Sequence, residues 1–282
     1  MTNTSQSSDI LRIAQEVNKP FIGIKTDLYI TYIKLLTQLD KPYTLITVSN
    51  DDHCVPYYSY PSDMETHDNR NNVDMMLKNP NLLVWYSKNP CIIHYKIKPL
   101  PLGPKWQWKT TRFHGESKCE LFKTFTTHCL SPEADFNNVE LKKKLLYFNF
   151  TTATTGKPLY TPHKNLRQNI KNDLQGIFAW NESKPFEAYL NEIKEYKFCL
   201  APPGRGIDTH RCWEALMVGT IPIVQSSAIN DLYIDLPVLI LHNWSKITED
   251  YLNTEYENIR KKKYNFSKLY TFYWRLNLLL RN

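Results

Sequence analysis

The sequence predicts an α/β protein whose sheets are parallel. Short apolar runs alternate along the 282-residue chain with segments whose apolar residues recur at helical spacing. Polar loops follow several of these runs, which is typical of the carboxyl ends of parallel strands. A polar, charged stretch over residues 132–144 divides the chain. We therefore expect two Rossmann-like domains with right-handed crossovers between their strands.

The N-terminal half opens with a polar stretch, residues 1–9, that we expect to be disordered. A strand is predicted over residues 21–24, followed by a helix over 28–39, where apolar side chains stand three or four apart. The later elements predicted in this half are a strand over 43–48, a helix over 73–78, and strands over 82–86 and 92–97. Three prolines between residues 99 and 104 then exclude a helix.

The C-terminal half repeats the alternation and starts with an apolar run over residues 145–150. We expect helices over 163–174 and 186–195, and strands beginning at Phe198 and over 221–224 and 238–241. A further helix is predicted from residue 247. The basic segment 256–281 carries aromatic residues and is also predicted to be helical.

The stretch over residues 198–224 is the most informative part of the chain. Its apolar start is interrupted by a Pro-Pro-Gly-Arg-Gly loop, residues 202–206, because neither proline nor glycine continues a strand well. Asp208 or Thr209 can cap the helix of about ten residues that follows. Gly219 stands where a helix-terminating glycine belongs. A strand, a glycine-containing loop, a helix and a second strand therefore follow one another.

A helix that begins after such a loop can bind an anion, because its first N–H groups and its dipole face outwards. Arg205, His210 and Arg211 add donors there, and a cation in the first helical turn is otherwise unfavourable. Glu214, one turn later, can accept two hydrogen bonds from a ribose diol. These residues together predict a nucleotide site. The alternative is an ordinary crossover with a solvated Arg–Glu pair.

The same stretch resembles the C-terminal signature of exostosin-like glycosyltransferases. The similarity rests on residues 199–204, 211–216 and 219–224, and it is weaker over 41–106 and 145–252. It implies a GT-B-like fold with the two sheets facing a cleft, a nucleotide-sugar donor, inversion at the anomeric carbon and no obligatory metal. Similarity to compact viral members further implies UDP-xylose as the donor and a glycan of a capsid protein as the acceptor.

The resemblance also implies a division of the chain. Residues 1–140 would form the acceptor-side domain, residues 141–258 would bind the nucleotide sugar, and a C-terminal helix over 259–282 would pack back on the first domain. The expected donor-binding residues lie in the loops and helices of the second domain. They are Thr151, Thr152, Arg167, Pro203, Gly204, Arg205, Gly206, Asp208, His210, Arg211 and Glu214.

The catalytic base is expected from the first domain, since an inverting transfer needs a carboxylate or histidine beside the acceptor hydroxyl. Asp51, Asp52 and His53 follow the predicted strand over 43–48, and Asp52 is the nearest match to an aspartate of the family. His67, Asp68 and Asp74 are second candidates, because the stretch before the helix predicted at residue 73 is long and polar. The alternative for residues 51–53 is a solvated turn. Trp106 or Trp108 could stack on an acceptor sugar and Trp180 on the base, although core packing is the commoner role for tryptophan.

Metal chemistry is not expected. The chain contains no Asp-X-Asp sequence, and its six cysteines show no zinc spacing. No P-loop and no dinucleotide-binding glycine motif occurs either.

Charge and composition point to an anionic partner. The formal net charge is +7 and 13% of residues are aromatic, which suits nucleotide sugars and glycans. No apolar window of eighteen residues and no signal-like N-terminus occurs, so we expect a cytoplasmic protein without a transmembrane segment, in an infected host cell if it is viral. A nucleic-acid-binding protein and an inactive, lectin-like glycan binder are the alternatives, but the basic residues form no single stripe.

Overall fold

A computed structural model describes residues 21–25, 32, 35–48, 68–105, 131–152, 165–204 and 206–280. Within these residues, eight strands form two separate four-stranded sheets, and every strand pair is parallel. Helices connect strands within each sheet. The predicted α/β class with two Rossmann-like units is therefore confirmed.

The first sheet has the strand order β1-β2-β3-β4. Its strands are β1 (Phe21–Lys25), β2 (Tyr43–Val48), β3 (Leu82–Lys88) and β4 (Ile97–Leu100), and helix α1 (Asp68–Lys78) precedes β3. The predicted strand over 92–97 was wrong, because β4 begins only at Ile97. It includes Pro99, which is tolerated because β4 lies at the edge of the sheet among the described strands. Helix α1 starts five residues before the predicted start at residue 73.

The core of the first unit lies between its sheet and its helices. Trp85 and Tyr43 are fully buried in it, together with Leu36 from the partly described helix before β2. The indole of Trp85 donates to Thr47 Oγ1 over 3.0 Å, and Thr47 in turn donates to Ser87 Oγ over 2.9 Å. A satisfied polar chain of this kind holds the carboxyl ends of β2 and β3 in register.

The second sheet has the strand order β5-β6-β7-β8. Its strands are β5 (Lys144–Tyr147), β6 (Tyr196–Leu200), β7 (Ile221–Gln225) and β8 (Leu239–Leu241). The helices between them are α3 (Leu166–Leu174), α4 (Phe186–Lys194) and α5 (His210–Met217). Phe198, Leu200, Ile221 and Ile223 are fully buried, as expected for central parallel strands covered on both faces.

The stretch that was predicted to divide the chain, residues 132–144, is structured. It forms helix α2 (Pro132–Asn137) and a 3₁₀ turn (Val139–Leu141), and Phe136 packs in the core of the second unit. A Cβ on Gly219 would lie 2.3 Å from the Phe136 nitrogen, and Gly219 has a φ of +69°, so this position requires glycine. The chain from Pro132 onwards thus packs with the second unit, and the division at residue 140 remains a proposal.

The C-terminal segment is not one continuous helix. Helix α6 (Glu249–Arg260) ends before a break, a 3₁₀ turn (Phe266–Leu269) follows, and α7 (Thr271–Leu280) comes last. The aromatic and aliphatic residues around the break, Phe266 and Leu269, are buried in the second core, and Trp274 packs against it. These contacts all belong to the second unit, so the crossing of this helix onto the first domain remains a prediction.

Candidate functional site

The loops of the predicted site meet at the carboxyl edge of the second sheet. β5 and β6 pair in parallel, with Tyr147 opposite Cys199, so the loops that follow them leave the same edge. The first loop leads to Thr151 and Thr152, and the second runs from Ala201 to the start of α5. Arg205 lies outside the described residues, so nothing is assigned to it. The other predicted donor-binding residues are described.

Arg167 joins the two loops. Its guanidinium donates to the carbonyl oxygens of Thr151 (3.0 Å), Pro202 (3.0 Å) and Pro203 (2.9 Å). Burial, together with the charge of Arg211, lowers the pKa of Arg167 to about 10. Three of its five N–H groups are therefore used on the protein itself. Arg167 therefore links the loop that follows β5 to the loop that follows β6.

Fewer backbone N–H groups of the loop are free than the sequence suggested. Gly204 donates to the Gly206 carbonyl over 3.0 Å, Asp208 donates to Asn89 Oδ1 over 2.7 Å, and Thr209 donates to Asp208 Oδ1 over 2.9 Å. These three groups hold the loop in place. An anion here would therefore depend on the first turn of α5 and on side chains.

Thr209 caps helix α5. Its side chain accepts a hydrogen bond from the Cys212 nitrogen over 3.4 Å, which resolves the choice between Asp208 and Thr209. The helix spans His210–Met217, close to the predicted span. Its first turn carries two basic residues and no acidic one, which is the reverse of the usual preference.

Arg211 is the cation in that first turn, and it packs against two tyrosine rings. Its Cζ lies 5.2 Å from the ring centre of Tyr189 and 5.8 Å from that of Tyr147. Its Nη1 atom is buried and has no hydrogen-bond partner among the described residues. Burial opposes the charge, but Tyr189, Cys199 and Glu214 raise the pKa of Arg211 above its ordinary value. A charged guanidinium with an unsatisfied donor is what an anion site requires.

Glu214 lies one turn further along α5 and is buried. Its Oε2 accepts from the Tyr189 hydroxyl over 3.1 Å, and its Oε1 accepts a longer hydrogen bond, 3.4 Å, from the Lys105 nitrogen. A carboxylate has about four acceptor positions, so both oxygens keep capacity for a ligand. The sequence-based alternative of a solvated Arg–Glu pair does not fit, because Glu214 is buried.

Asp208 has a different role from the one expected. It is 3% exposed; Oδ1 accepts from the Tyr233 hydroxyl at 3.4 Å, Oδ2 accepts from the Leu102 nitrogen at 2.7 Å, and both oxygens contact the Trp213 indole nitrogen at 2.8–2.9 Å. Burial raises its pKa, and the hydrogen bonds from Leu102, Trp213 and Thr209 oppose that shift. Because protein donors already surround this carboxylate, we assign it to the architecture of the site.

The segment that follows β4 lies along the start of α5. Besides the Leu102 contact, the Gly103 carbonyl is 2.8 Å from Nδ1 of His210, and the Lys105 nitrogen reaches Glu214. Leu102 and Cys91 pack against the second core. The first unit thus contacts the loop and helix that carry the predicted donor residues, which places residues 102–105 at the border of the site.

The predicted catalytic residues are less informative. Asp51, Asp52 and His53 lie outside the described residues, as do Trp106 and Trp108. Asp74 lies on α1 and is exposed, on a helix and not in a strand-end loop. Each assignment of the base therefore stays a prediction.

Trp180 is partly buried and packs against the second core. Its ring meets Phe148 and Phe150 edge to face at centroid distances of 4.9 and 5.4 Å, and Lys171 Nζ lies 4.3 Å from its centroid. These neighbours favour the packing interpretation over stacking on a nucleotide base.

The sequence did not predict the residues that contact positions 208–214 from other elements. Tyr147 and Tyr189 come from β5 and α4, and Asn89 and residues 102–105 come from the first unit. Nothing in their local sequence marks them, because their contacts with residues 208–214 span 22 to 119 positions. One hint was available for Tyr147, which ends an apolar strand at the edge where sites form.

The described residues contain no group of three or more His, Cys, Asp or Glu side chains arranged to hold a metal ion. None of the described helices has the length and hydrophobicity that a membrane-spanning helix needs.

Comparison with known proteins gives little further guidance. No protein-family model matches the sequence, and no curated protein matches it significantly. One solved structure with a similar arrangement is described as "Trehalose-6-phosphate from E. coli bound with UDP-2-fluoro glucose". It is 6% identical, with a TM-score of 0.40 over 97% of this chain and 76% of that chain. A likeness this distant supports no argument about activity.

Proposed function

We propose that this chain is a glycosyltransferase that moves a sugar from a UDP-sugar to a hydroxyl of a glycan or glycoprotein. The observation that carries the proposal is the buried Nη1 of Arg211, which has no partner among the described residues. It lies in the first turn of α5, where the helix dipole also favours negative charge. A diphosphate would satisfy both features.

The nucleoside end of the donor would lie further along α5. Glu214 is one turn from Arg211, and its oxygens keep lone pairs for the two hydroxyls of a ribose. The loop braced by Arg167 would border the diphosphate, with Thr151, Thr152, Pro203, Gly204, Arg205 and Gly206 as its lining. His210 would stand beside the sugar, since Gly103 holds its Nδ1.

The proposed reaction inverts the anomeric carbon. The acceptor oxygen attacks that carbon as its bond to the UDP oxygen breaks, and a base in the first unit takes the acceptor's proton. We assign the base to Asp52, with Asp51, His53 and Asp74 as the other candidates. Negative charge grows on the departing diphosphate, and Arg211 and the amino end of α5 would stabilise it. The proposal requires no metal, because these groups supply the positive charge.

The finer assignments rest on the resemblance to exostosin-like enzymes. They are a GT-B-like cleft between the two units, UDP-xylose as the donor, and an acceptor that belongs to the N-glycan of a viral capsid protein. The +7 charge and the aromatic content fit anionic donors and sugars.

A panel of nucleotide sugars tests the function. Each is incubated with the protein in the presence and in the absence of EDTA, and release of the nucleoside diphosphate is measured. We expect slow hydrolysis of a UDP-sugar, fastest for UDP-xylose, and no loss of rate with EDTA. If no nucleotide sugar is hydrolysed and an oligonucleotide alone raises the melting temperature, the proposal is wrong and nucleic-acid binding replaces it.

A further inference from the structure

Tyr189 contacts both charged residues of the proposed donor site. Its hydroxyl donates to Glu214 Oε2 over 3.1 Å, while the face of its ring carries the guanidinium of Arg211 at 5.2 Å. The two charged groups belong to α5, whereas Tyr189 belongs to α4. One side chain from a neighbouring helix therefore sets the positions of both.

The surroundings of Tyr189 keep it in one place. It is 7% exposed and belongs to a small core between α4 and α5 that includes Leu190, Ile193, Ala215 and Val218. Its ring also contacts that of Tyr147 at a centroid distance of 5.8 Å. Because its ring is packed against these residues, Tyr189 is a rigid support for the Glu214 carboxylate and the Arg211 guanidinium.

The direction of the hydrogen bond is also fixed. Burial raises the pKa of Tyr189 well above its ordinary value, although the charge of Arg211 works in the other direction. The phenol therefore stays protonated and donates, and the carboxylate of Glu214 accepts. One lone pair of Oε2 is occupied by this bond, so the remaining acceptor positions of Glu214 point in defined directions.

We propose that Tyr189 is the positioning residue that makes the donor site selective for ribonucleotides, because it aims the Glu214 carboxylate at the two ribose hydroxyls. The inference rests on the proposed function, since it takes a nucleoside diphosphate as the ligand. It adds Tyr189, on helix α4, to the donor site, and it adds the expectation that the site discriminates against 2′-deoxyribose. Without the phenolic hydroxyl, the carboxylate loses the contact that orients it and the deoxyribonucleotide is no longer penalised.

The test compares the affinities of UDP and 2′-deoxy-UDP in the wild-type protein and in Tyr189→Phe. One hydrogen bond to a charged group corresponds to a factor of roughly 10 to 100 in affinity. We expect the wild-type protein to bind UDP about 10-fold or more tighter than the deoxy form. In Tyr189→Phe this ratio should fall to about 3-fold or less, because the ring is retained for Arg211 and only the hydroxyl is lost.

Tyr264→Phe is the matched control. The Tyr264 hydroxyl donates to the Ile259 carbonyl over 2.8 Å, on α6 and away from Glu214, so its loss should leave the ratio unchanged. If Tyr189→Phe does not fold, Tyr189→His replaces it. The imidazole ring is shorter than a phenol and cannot place a donor at the position of the Tyr189 hydroxyl. This variant should therefore also lower the ratio of the two affinities.

The outcomes separate the two claims. A wild-type protein that binds neither nucleotide overturns the proposed function and this inference together. A wild-type protein that binds UDP, with the same ratio in the folded Tyr189 variant as in the wild type, overturns the inference alone. A ratio near one in the wild-type protein also overturns it, because there is then no selectivity for Tyr189 to support.

Discussion

The guanidinium of Arg167 lies directly against the backbone of Gly204. A Cβ at position 204 would be 2.7 Å from Nη2 and 3.3 Å from Cζ of Arg167. The same guanidinium is held by the carbonyl oxygens of Thr151, Pro202 and Pro203. Gly204 is therefore required by the close approach of a side chain that is itself fixed in place.

Gly204→Ala should destabilise the protein by about 1–3 kcal/mol, because the new methyl group displaces Arg167 and breaks some of its hydrogen bonds. Urea unfolding measures this change. Gly176→Ala is the control, since a Cβ there meets no atom within 4 Å, and it should shift stability by less than about 0.5 kcal/mol. Equal losses of stability in the two variants would show that the contact of Arg167 with Gly204 does not require glycine at position 204.

Arg211→Lys should weaken UDP binding by about 10- to 100-fold and leave the protein folded. Lysine keeps the charge but loses the planar fork and its stacking on Tyr147 and Tyr189. Isothermal titration calorimetry measures the affinity. Arg275→Lys, at an exposed position of α7, should bind UDP like the wild type, so an equal loss in both variants would exclude a specific role for Arg211.

Asp208→Asn should destabilise the protein by about 2–4 kcal/mol. Asp208 accepts hydrogen bonds from Leu102, Trp213 and Tyr233. The NH₂ group of asparagine would face at least one of these donors and could not accept from it, so buried donors would lose their partner. Chemical denaturation checks this, with the exposed Asp173→Asn as control. A stability equal to that of the control would show that the carboxylate does not anchor the contact between the two units.

Lys142 should make stability depend on pH. Its Nζ reaches the carbonyl oxygens of Lys194 and Val218 and the Thr220 hydroxyl at 2.8–3.3 Å. Burial lowers its pKa from 10.5 to about 7, against the opposing charge of Asp135. Between pH 7 and 10.5 the unfolded chain thus binds more protons than the folded one, and this residue's contribution makes stability rise with pH, by up to about 1.4 kcal/mol per unit.

The measurement is urea unfolding at pH 7, 8 and 9 for Lys142→Met and for Lys143→Met, its exposed neighbour. We expect the rise of stability with pH to be smaller in Lys142→Met than in Lys143→Met. Parallel pH profiles for the two variants would show that Lys142 has the same pKa in the folded and unfolded chains.

Asp52→Asn tests the assignment of the base. The variant should bind UDP as tightly as the wild type but lose transfer by a factor of about 100 or more, because only the proton acceptor is removed. Asp74→Asn is measured beside it as the second candidate. Full turnover by Asp52→Asn would move the base to another residue.

The sequence was a good guide wherever local signals decide the structure. Buried β-branched and aromatic runs located β6 and β7, and the cap at Thr209 and the glycine at 219 bounded α5. The stretch at 132–144 was predicted to be a boundary because it is polar and charged. It also contains Phe136, which packs into the second core. In the C-terminal segment, a short break between α6 and α7 has no proline or glycine to announce it.

The candidate site was predictable only in its chain-local part. Arg211 could be identified because a cation is unfavourable in the first turn of a helix, and Glu214 because it stands one turn further along the same helix. Their packing against Tyr147 and Tyr189, and the contact of residues 102–105 with α5, depend on how separate elements meet in space. A single sequence contains no local signal for such contacts, which is also why Asp208 was taken for a ligand-binding residue.

The most direct measurement is a crystal structure of the protein grown with UDP. We expect the diphosphate at the amino end of α5 within hydrogen-bond distance of Arg211 Nη1, and the ribose hydroxyls on the carboxylate of Glu214. A nucleotide bound elsewhere, or a well-ordered protein that binds no UDP at millimolar concentration, would show that the proposed donor site is wrong.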